Sequence, residues 1–158
     1  MLIGMLPQKP ALQSLEILYQ DHYFVAINKP PGLLVHRSRI AAGATRFALQ
    51  QLRDQIGQYL YPVHRLDRPT SGVLLFALSP EVAAETSRLF TSCRVKKSYL
   101  AIVRGYTGET GVVHHRVKRV KDPLAPGPED RKDAITEYTR LSTLELPFFV
   151  TVSELERV

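Results

Sequence analysis

The run His64-Arg65-Leu66-Asp67-Arg68-Pro69-Thr70-Ser71-Gly72 gathers a carboxylate, two guanidinium groups, an imidazole and two hydroxyls in one short stretch. An Asp set between Arg65 and Arg68 is favoured in its charged form, because nearby positive charge stabilises a carboxylate. Thr70 and Ser71 add hydroxyl donors, while Pro69 and Gly72 restrict where the backbone turns. The residues that follow, Val73-Leu74-Leu75-Phe76-Ala77, are apolar without interruption, so the loop feeds a buried strand. The chemistry on offer is a carboxylate on the rim of a sheet, acting as nucleophile or as stabiliser of developing positive charge. The same residues also fit a plain surface turn tied by Arg–Asp pairs. Spacing alone leaves both readings open.

Other chemistries fit worse. A kinase catalytic loop orders His-Arg-Asp with an Asn downstream, and the chain has neither that order nor a Gly-rich loop or Asp-Phe-Gly. A paired-carboxylate hydrolase needs a second acid near Asp67, which the local sequence lacks. Cys93 is the only cysteine, and the spacing of His36, His64, His114 and His115 matches no metal-ligand pattern, so no metal is expected.

Four ordered segments carry a resemblance that spans residues 15–156. His64-Arg65-Leu66-Asp67 with Thr70-Ser71-Gly72 and its apolar strand resembles the catalytic motif of the RluA-type pseudouridine synthases. Asn28-Lys29-Pro30-Pro31-Gly32-Leu33-Leu34-Val35-His36 is similar to the family's early lysine-proline-glycine-valine-histidine segment. Lys97-Ser98-Tyr99-Leu100-Ala101-Ile102-Val103-Arg104-Gly105 is similar to its later K-x-Y-x-A-x-V-x-G segment. Ala134-Ile135-Thr136-Glu137-Tyr138 resembles the strand beyond a variable loop. Within the family, His36-Arg37-Ser38 and Arg53-Asp54-Gln55-Ile56-Gly57-Gln58 look most like a tRNA-acting branch, which points to the T-arm side of tRNA.

The resemblance implies an α+β fold with a mostly antiparallel sheet, flanking helices and a cleft. It also implies a reaction that breaks the N-glycosidic bond of a uridine, turns the base and rejoins it through carbon, with no cofactor. The family assigns the nucleophile or charge stabiliser to the Asp matching Asp67, by attack on the sugar C1′ or through a glycal, and the two routes stay open. A base inside folded RNA must first be extruded. Arg65 is the candidate wedge, since a guanidinium plane can fill the vacated slot and pair with phosphate, unless it simply salt-bridges Asp67. A strand Tyr99 is by default a packing residue. The matching family tyrosine lines the active site, where a ring can stack on uracil and a hydroxyl can exchange a proton.

Lys29, His36, His64, Arg68 and Lys97 are RNA-contact candidates, with turn structure the plainer reading for Lys29 and His36 and a loop brace that for His64. Arg116 and Lys118 are candidates too. On a strand they share a face with His114, while Arg119 and Lys121 face the other way, so the basic run is either a phosphate-tracking arm or a solvated edge.

The chain that must position these groups has 158 residues, enough for one domain burying roughly two-thirds of its unfolded surface. Its hydrophobic fraction of 44% and charged fraction of 23% are ordinary for a globular protein. A formal net charge of +6 favours an acidic partner, nucleic acid being the commonest. One cysteine permits no intrachain disulfide, and no apolar run nears the ~20 residues of a membrane span. Residues 1–6 lack the positive start of a secretory signal, so a cytoplasmic protein is expected.

Residues 1–14 read as a loose leader with Pro7 and Pro10, and residues 15–158 as the N-terminal and central part of a synthase domain. Residues 15–19 and 23–28 read as strands, 45–57 as a helix stopped by Gly57, and 72–78 as a strand buried on both faces. Ser79-Pro80-Glu81 opens a helix to about Cys93, with Ser79 as N-cap, and Val82, Thr86, Leu89, Phe90 and Cys93 on its inner face. Strands are expected at 97–103, 111–120, 134–142 and 148–155, with a charged, proline-rich loop at 121–132. Family members continue into a G-R-x-H-Q segment that does not occur before Val158, so an incomplete sheet with an open edge is expected. A non-catalytic module that binds structured RNA is the alternative function.

Overall fold

A computed structural model describes residues 14–37, 45–118 and 131–145. The chain divides into two compact units, Met1–Ser98 and Tyr99–Val158. The first holds a four-stranded antiparallel sheet ordered β1-β2-β4-β3, with β1 at Glu16–Gln20, β2 at Phe24–Lys29, β3 at Tyr61–Pro62 and β4 at Gly72–Ala77. Asp21 closes the β1–β2 hairpin: its Oδ1 accepts from the backbone N–H of Tyr23 at 2.7 Å and of Phe24 at 2.6 Å. These bonds to the charged form, with the Tyr19 hydroxyl on Oδ2, hold the Asp21 carboxyl below its ordinary value.

Strand alternation decides what is buried. Val25 and Ile27 of β2 and Leu74 and Phe76 of β4 point to one face and are fully buried. Helix α1, Ala48–Ile56, closes that face with Ala48 and Leu52, and Leu33, Val35, Leu60 and Leu66 complete the core. Gln55 on α1 pairs with both backbone groups of Leu15, so a side-chain amide stands in for a strand neighbour. Gly57 ends the helix at φ 68°, returning its N–H to the Arg53 carbonyl, as the sequence predicts.

Helix α2, Pro80–Thr91, starts where its capping residues place it, Ser79 Oγ accepting from Val82 N–H at 3.3 Å. It packs on β3 and β4. Of its expected inner face, Thr86 is buried and Val82 and Phe90 are half-buried, whereas Leu89 and Cys93 are exposed. The chain leaves the helix at Ser92, and Cys93 turns out at φ 56°. The expectation that β4 is buried on both faces holds only for its far end. Ala77 is fully buried, but Val73 is 61% exposed. The two-residue β3 was not foreseen. Its Pro62 lacks an N–H and marks the point where the edge strand departs.

The second unit is built on an antiparallel ribbon of β5, Thr110–Lys118, and β6, Arg131–Thr139, in unbroken register from Thr110↔Thr139 to Lys118↔Arg131. Tyr138 lies over Gly111, where a Cβ would stand 2.6 Å from the Tyr138 hydroxyl. The strand expected at 97–103 is not paired: no described segment supplies its ladder, and Tyr99, Leu100, Ile102 and Val103 are exposed. The expected leader, apart from Ser14, the 121–130 part of the loop and the strand at 148–155 lie outside the described residues. The elements are α+β with antiparallel sheets, as expected. Among the described residues no helix is long and apolar enough to cross a membrane.

Candidate active site

The Asp67 loop hangs between β3 and β4 with two apolar anchors, Val63 and Leu66, inserted in the core. Arg65 and Asp67, on either side of Leu66, lie in solvent. Arg65 NH2 stands 3.3 Å from Asp67 Oδ1, with the two side chains 75% and 53% exposed. Asp67 is therefore reachable and carries one guanidinium beside it. The second expected neighbour turns elsewhere: Arg68 Nε donates to the Gly32 carbonyl at 3.2 Å.

That bond is half of a clamp. Gly32 N–H donates to the Arg68 carbonyl at 2.8 Å, so two residues far apart in sequence bond each other in both directions. Gly32 sits at φ 81°, which the Pro30-Pro31-Gly32 turn needs and a side chain would resist. Thr70 N–H donates to the Asp67 carbonyl at 3.1 Å, closing a tight turn over the carboxylate-bearing residue. Sequence reasoning treated Gly32 only as turn material. Its signal was the Pro-Pro-Gly triplet itself, but its partner was not legible.

Lys29 corrects one expectation. It is fully buried at the end of β2, and its Nζ donates to the carbonyls of Leu33 at 2.9 Å, Pro30 at 3.1 Å and Arg68 at 3.3 Å. Three acceptors satisfy all three ammonium donors, so the group braces the two loops instead of meeting a phosphate. Burial pushes its pKa down from the ordinary 10.5, and the Asp67 charge opposes that shift. His64 follows its loop-brace reading and not that of an RNA contact. Its Nε2 accepts from Leu75 N–H at 3.0 Å, and its ring stacks on Phe90 with centroids 4.8 Å apart. Burial, opposed by a backbone contact with Arg65 and aided by the Lys97 charge, lowers its pKa.

Of the remaining candidates, His36, Lys97, Tyr99 and Arg116 are exposed. His36 and Lys97 belong to the first unit and Tyr99 opens the second. Arg116 Nε pairs across the ribbon with Asp133 Oδ1 at 2.9 Å, and Lys118 ends β5. An open cleft of about 1160 Å³ runs beside the clamp, lined among others by Pro31, Gly32, Arg46, Arg68 and Ser71. Asp67 is not in its lining and stands one residue away, at Arg68.

The structure thus presents a solvent-facing carboxylate on a turn held by a lysine and a proline-glycine loop. The family model described as RNA pseudouridylate synthase matches residues 22–154, and the chain belongs to that family. Among curated proteins, it is 49% identical over 139 residues to tRNA pseudouridine synthase C of Vibrio parahaemolyticus serotype O3:K6 (strain RIMD 2210633), covering 85% of this chain and 56% of that protein. It is 51% identical over 141 residues to tRNA pseudouridine synthase C of Pasteurella multocida (strain Pm70), covering 87% of this chain and 58% of that one. Human RNA Pseudouridylate Synthase Domain Containing 1 has a similar solved structure, with a TM-score of 0.58 and 28% identity over 78% of this chain and 50% of that one. The chain thus spans a little over half the length of the curated relatives it matches.

Proposed function

We propose that this chain carries the Asp67-bearing part of an enzyme that isomerises a uridine on the T-arm side of tRNA to pseudouridine. The observation that carries the reading is the exposed Asp67 carboxylate on a doubly clamped turn, beside the solvent-exposed guanidinium of Arg65. Relatives named tRNA pseudouridine synthase C supply the substrate class.

In this reading Arg65 swings from Asp67 to the RNA and fills the slot that the extruded uridine leaves. The Asp67 carboxylate then assists departure of uracil N1 from the sugar C1′, as nucleophile at C1′ or by stabilising its positive charge. The base turns, C5 bonds to C1′, and the proton on C5 is lost to solvent while N1 gains one. Tyr99 is the group proposed to stack on the turning base and to exchange that proton. Arg68, His36, Lys97, Arg116 and Lys118 are proposed RNA contacts; among those whose side chains are described, each is exposed.

Loss of the C5 proton gives the test. With tRNA tritiated at uridine C5, the protein releases tritium to water, and Asp67→Asn lowers the rate by roughly 10⁴-fold or more, the scale expected when a reacting group is removed. Unchanged tritium release by Asp67→Asn would refute the assignment. Salt-sensitive tRNA binding by the unaltered chain without any release would favour the non-catalytic RNA-binding module instead.

A further inference from the structure

We infer that His64 is a positioning residue, whose imidazole takes the place of a missing strand neighbour and so fixes where the Asp67 turn leaves the sheet. The inference deepens the proposed function and rests on Asp67 being the reacting group.

The argument begins at the edge of β4. Strand β3 pairs with β4 only through Tyr61↔Ala77 and Pro62↔Phe76, and then departs into the loop. The next N–H of β4 on that edge belongs to Leu75, which has lost its strand partner. A backbone donor left unpaired in a half-buried place is costly, and such groups are almost always satisfied. His64 Nε2 satisfies this one at 3.0 Å. Because an N–H must meet a lone pair, Nε2 is unprotonated and the ring proton resides on Nδ1. The Phe90 ring of α2 lies nearly parallel to the imidazole, 17° off, and holds its plane from the other side. The backbone of His64 is thereby fixed three residues before Asp67, while the Gly32–Arg68 clamp fixes the residue just after it. Desolvation of the ring favours its neutral form, consistent with an acceptor at Nε2.

The alternatives for a histidine at this place fail on geometry. As a proton donor through Nε2 it would have to release Leu75 N–H. As an RNA contact through Nε2 it would have to give up the same bond.

The test separates the acceptor from the ring. Nitrogen-15 NMR of the unaltered chain is expected to show His64 neutral with a pyridine-like Nε2, and a Leu75 amide protected from hydrogen exchange. His64→Phe keeps the stack and removes the acceptor, so Leu75 protection falls roughly tenfold or more and the Asp67 and Thr70 amide resonances shift. His64→Gln, whose side-chain oxygen reaches about as far as Nε2, restores both. In turnover with tRNA, His64→Phe lowers kcat roughly tenfold with KM unchanged, and His64→Gln recovers most of it. A protonated Nε2, an unprotected Leu75 amide in the unaltered chain, or a raised KM with unchanged kcat would overturn the inference. Full tritium release by Asp67→Asn would instead sink the proposed function and leave the NMR result standing.

Discussion

The two units of this chain solve the burial problem differently. In the first, the same period-two pattern that makes β2 and β4 strands also turns Val25, Ile27, Leu74 and Phe76 onto α1, and all four are fully buried. In the second, β5 and β6 have the residues and the register of a good ribbon, yet Val112, Val113, Val117 and Ile135 are all at least half exposed. Among its described residues none is buried. A two-stranded ribbon gains little stability from its own ladder, because the hydrophobic term needs a covered face. Pairing makes a strand, but only a covered face makes a core, and the loop that carries Asp67 is built on the unit that has one.

The largest expected contrast tests that difference directly. Phe76→Ala removes a fully buried ring from the first unit and should cost about 3–5 kcal/mol. Val113→Ala, half exposed on the ribbon, should change stability by no more than about 0.5 kcal/mol. Urea midpoints of the two variants measure the gap. Equal losses would mean that Val113 is covered in solution and that the contrast between units is wrong.

A smaller effect sharpens the view of how the first unit holds its loop. Lys29→Met keeps the apolar stem but leaves the Leu33, Pro30 and Arg68 carbonyls without their ammonium donor, a loss of about 1–3 kcal/mol. A pH dependence accompanies it. The folded-state pKa of Lys29 lies below 10.5, so between that value and 10.5 the unfolded chain binds the extra proton. Stability therefore rises with pH across that alkaline window and falls as pH drops through it. Lys29→Met should remove this slope, as read from urea midpoints over the alkaline range. A slope that persists in the variant would assign it to another group.

These cases also mark how far the sequence can be read. Ser79 and Gly57 act as helix caps within one turn of themselves, so local rules place the start of α2 and the end of α1, whereas α1 begins at Ala48, three residues later than expected, with no side-chain cap. The apolar run of β4 is local too, and it announces the strand but not which of its faces is covered. Lys29 is different. Its partners include Arg68, 39 positions away, and no local pattern says that a lysine after a strand will be swallowed by carbonyls. His64 was legible as a brace in kind, but its acceptor role follows from where Pro62 ends β3. The strand expected at 97–103 has the right side chains and lacks a paired neighbour among the described residues, which propensity cannot supply. Asp67 and Arg65, by contrast, stood out through the motif they share with a known family, because spacing alone fitted a surface turn tied by Arg–Asp pairs equally well.

The smallest expected effects on stability are those of the two exposed ion pairs, and they separate fold from function most cleanly. Arg65–Asp67 and Arg116–Asp133 have similar geometry, at 3.3 Å and 2.9 Å, and all four side chains are more than half exposed. Pairs of this kind contribute about 0–1 kcal/mol, since water screens the charges and two long side chains lose freedom in meeting. Arg65→Ala and Arg116→Ala should therefore leave the urea midpoint nearly where it was. Their effects on tritium release should differ. Arg116 lies on the ribbon and is a proposed phosphate contact, so its loss should weaken tRNA binding and lower the salt slope by about one charge. Arg65 is proposed to enter the space the base vacates, so its loss should slow turnover at saturating tRNA as well. If both variants changed only KM, Arg65 would be one more phosphate contact, and the pinned loop would owe its importance to Asp67 alone.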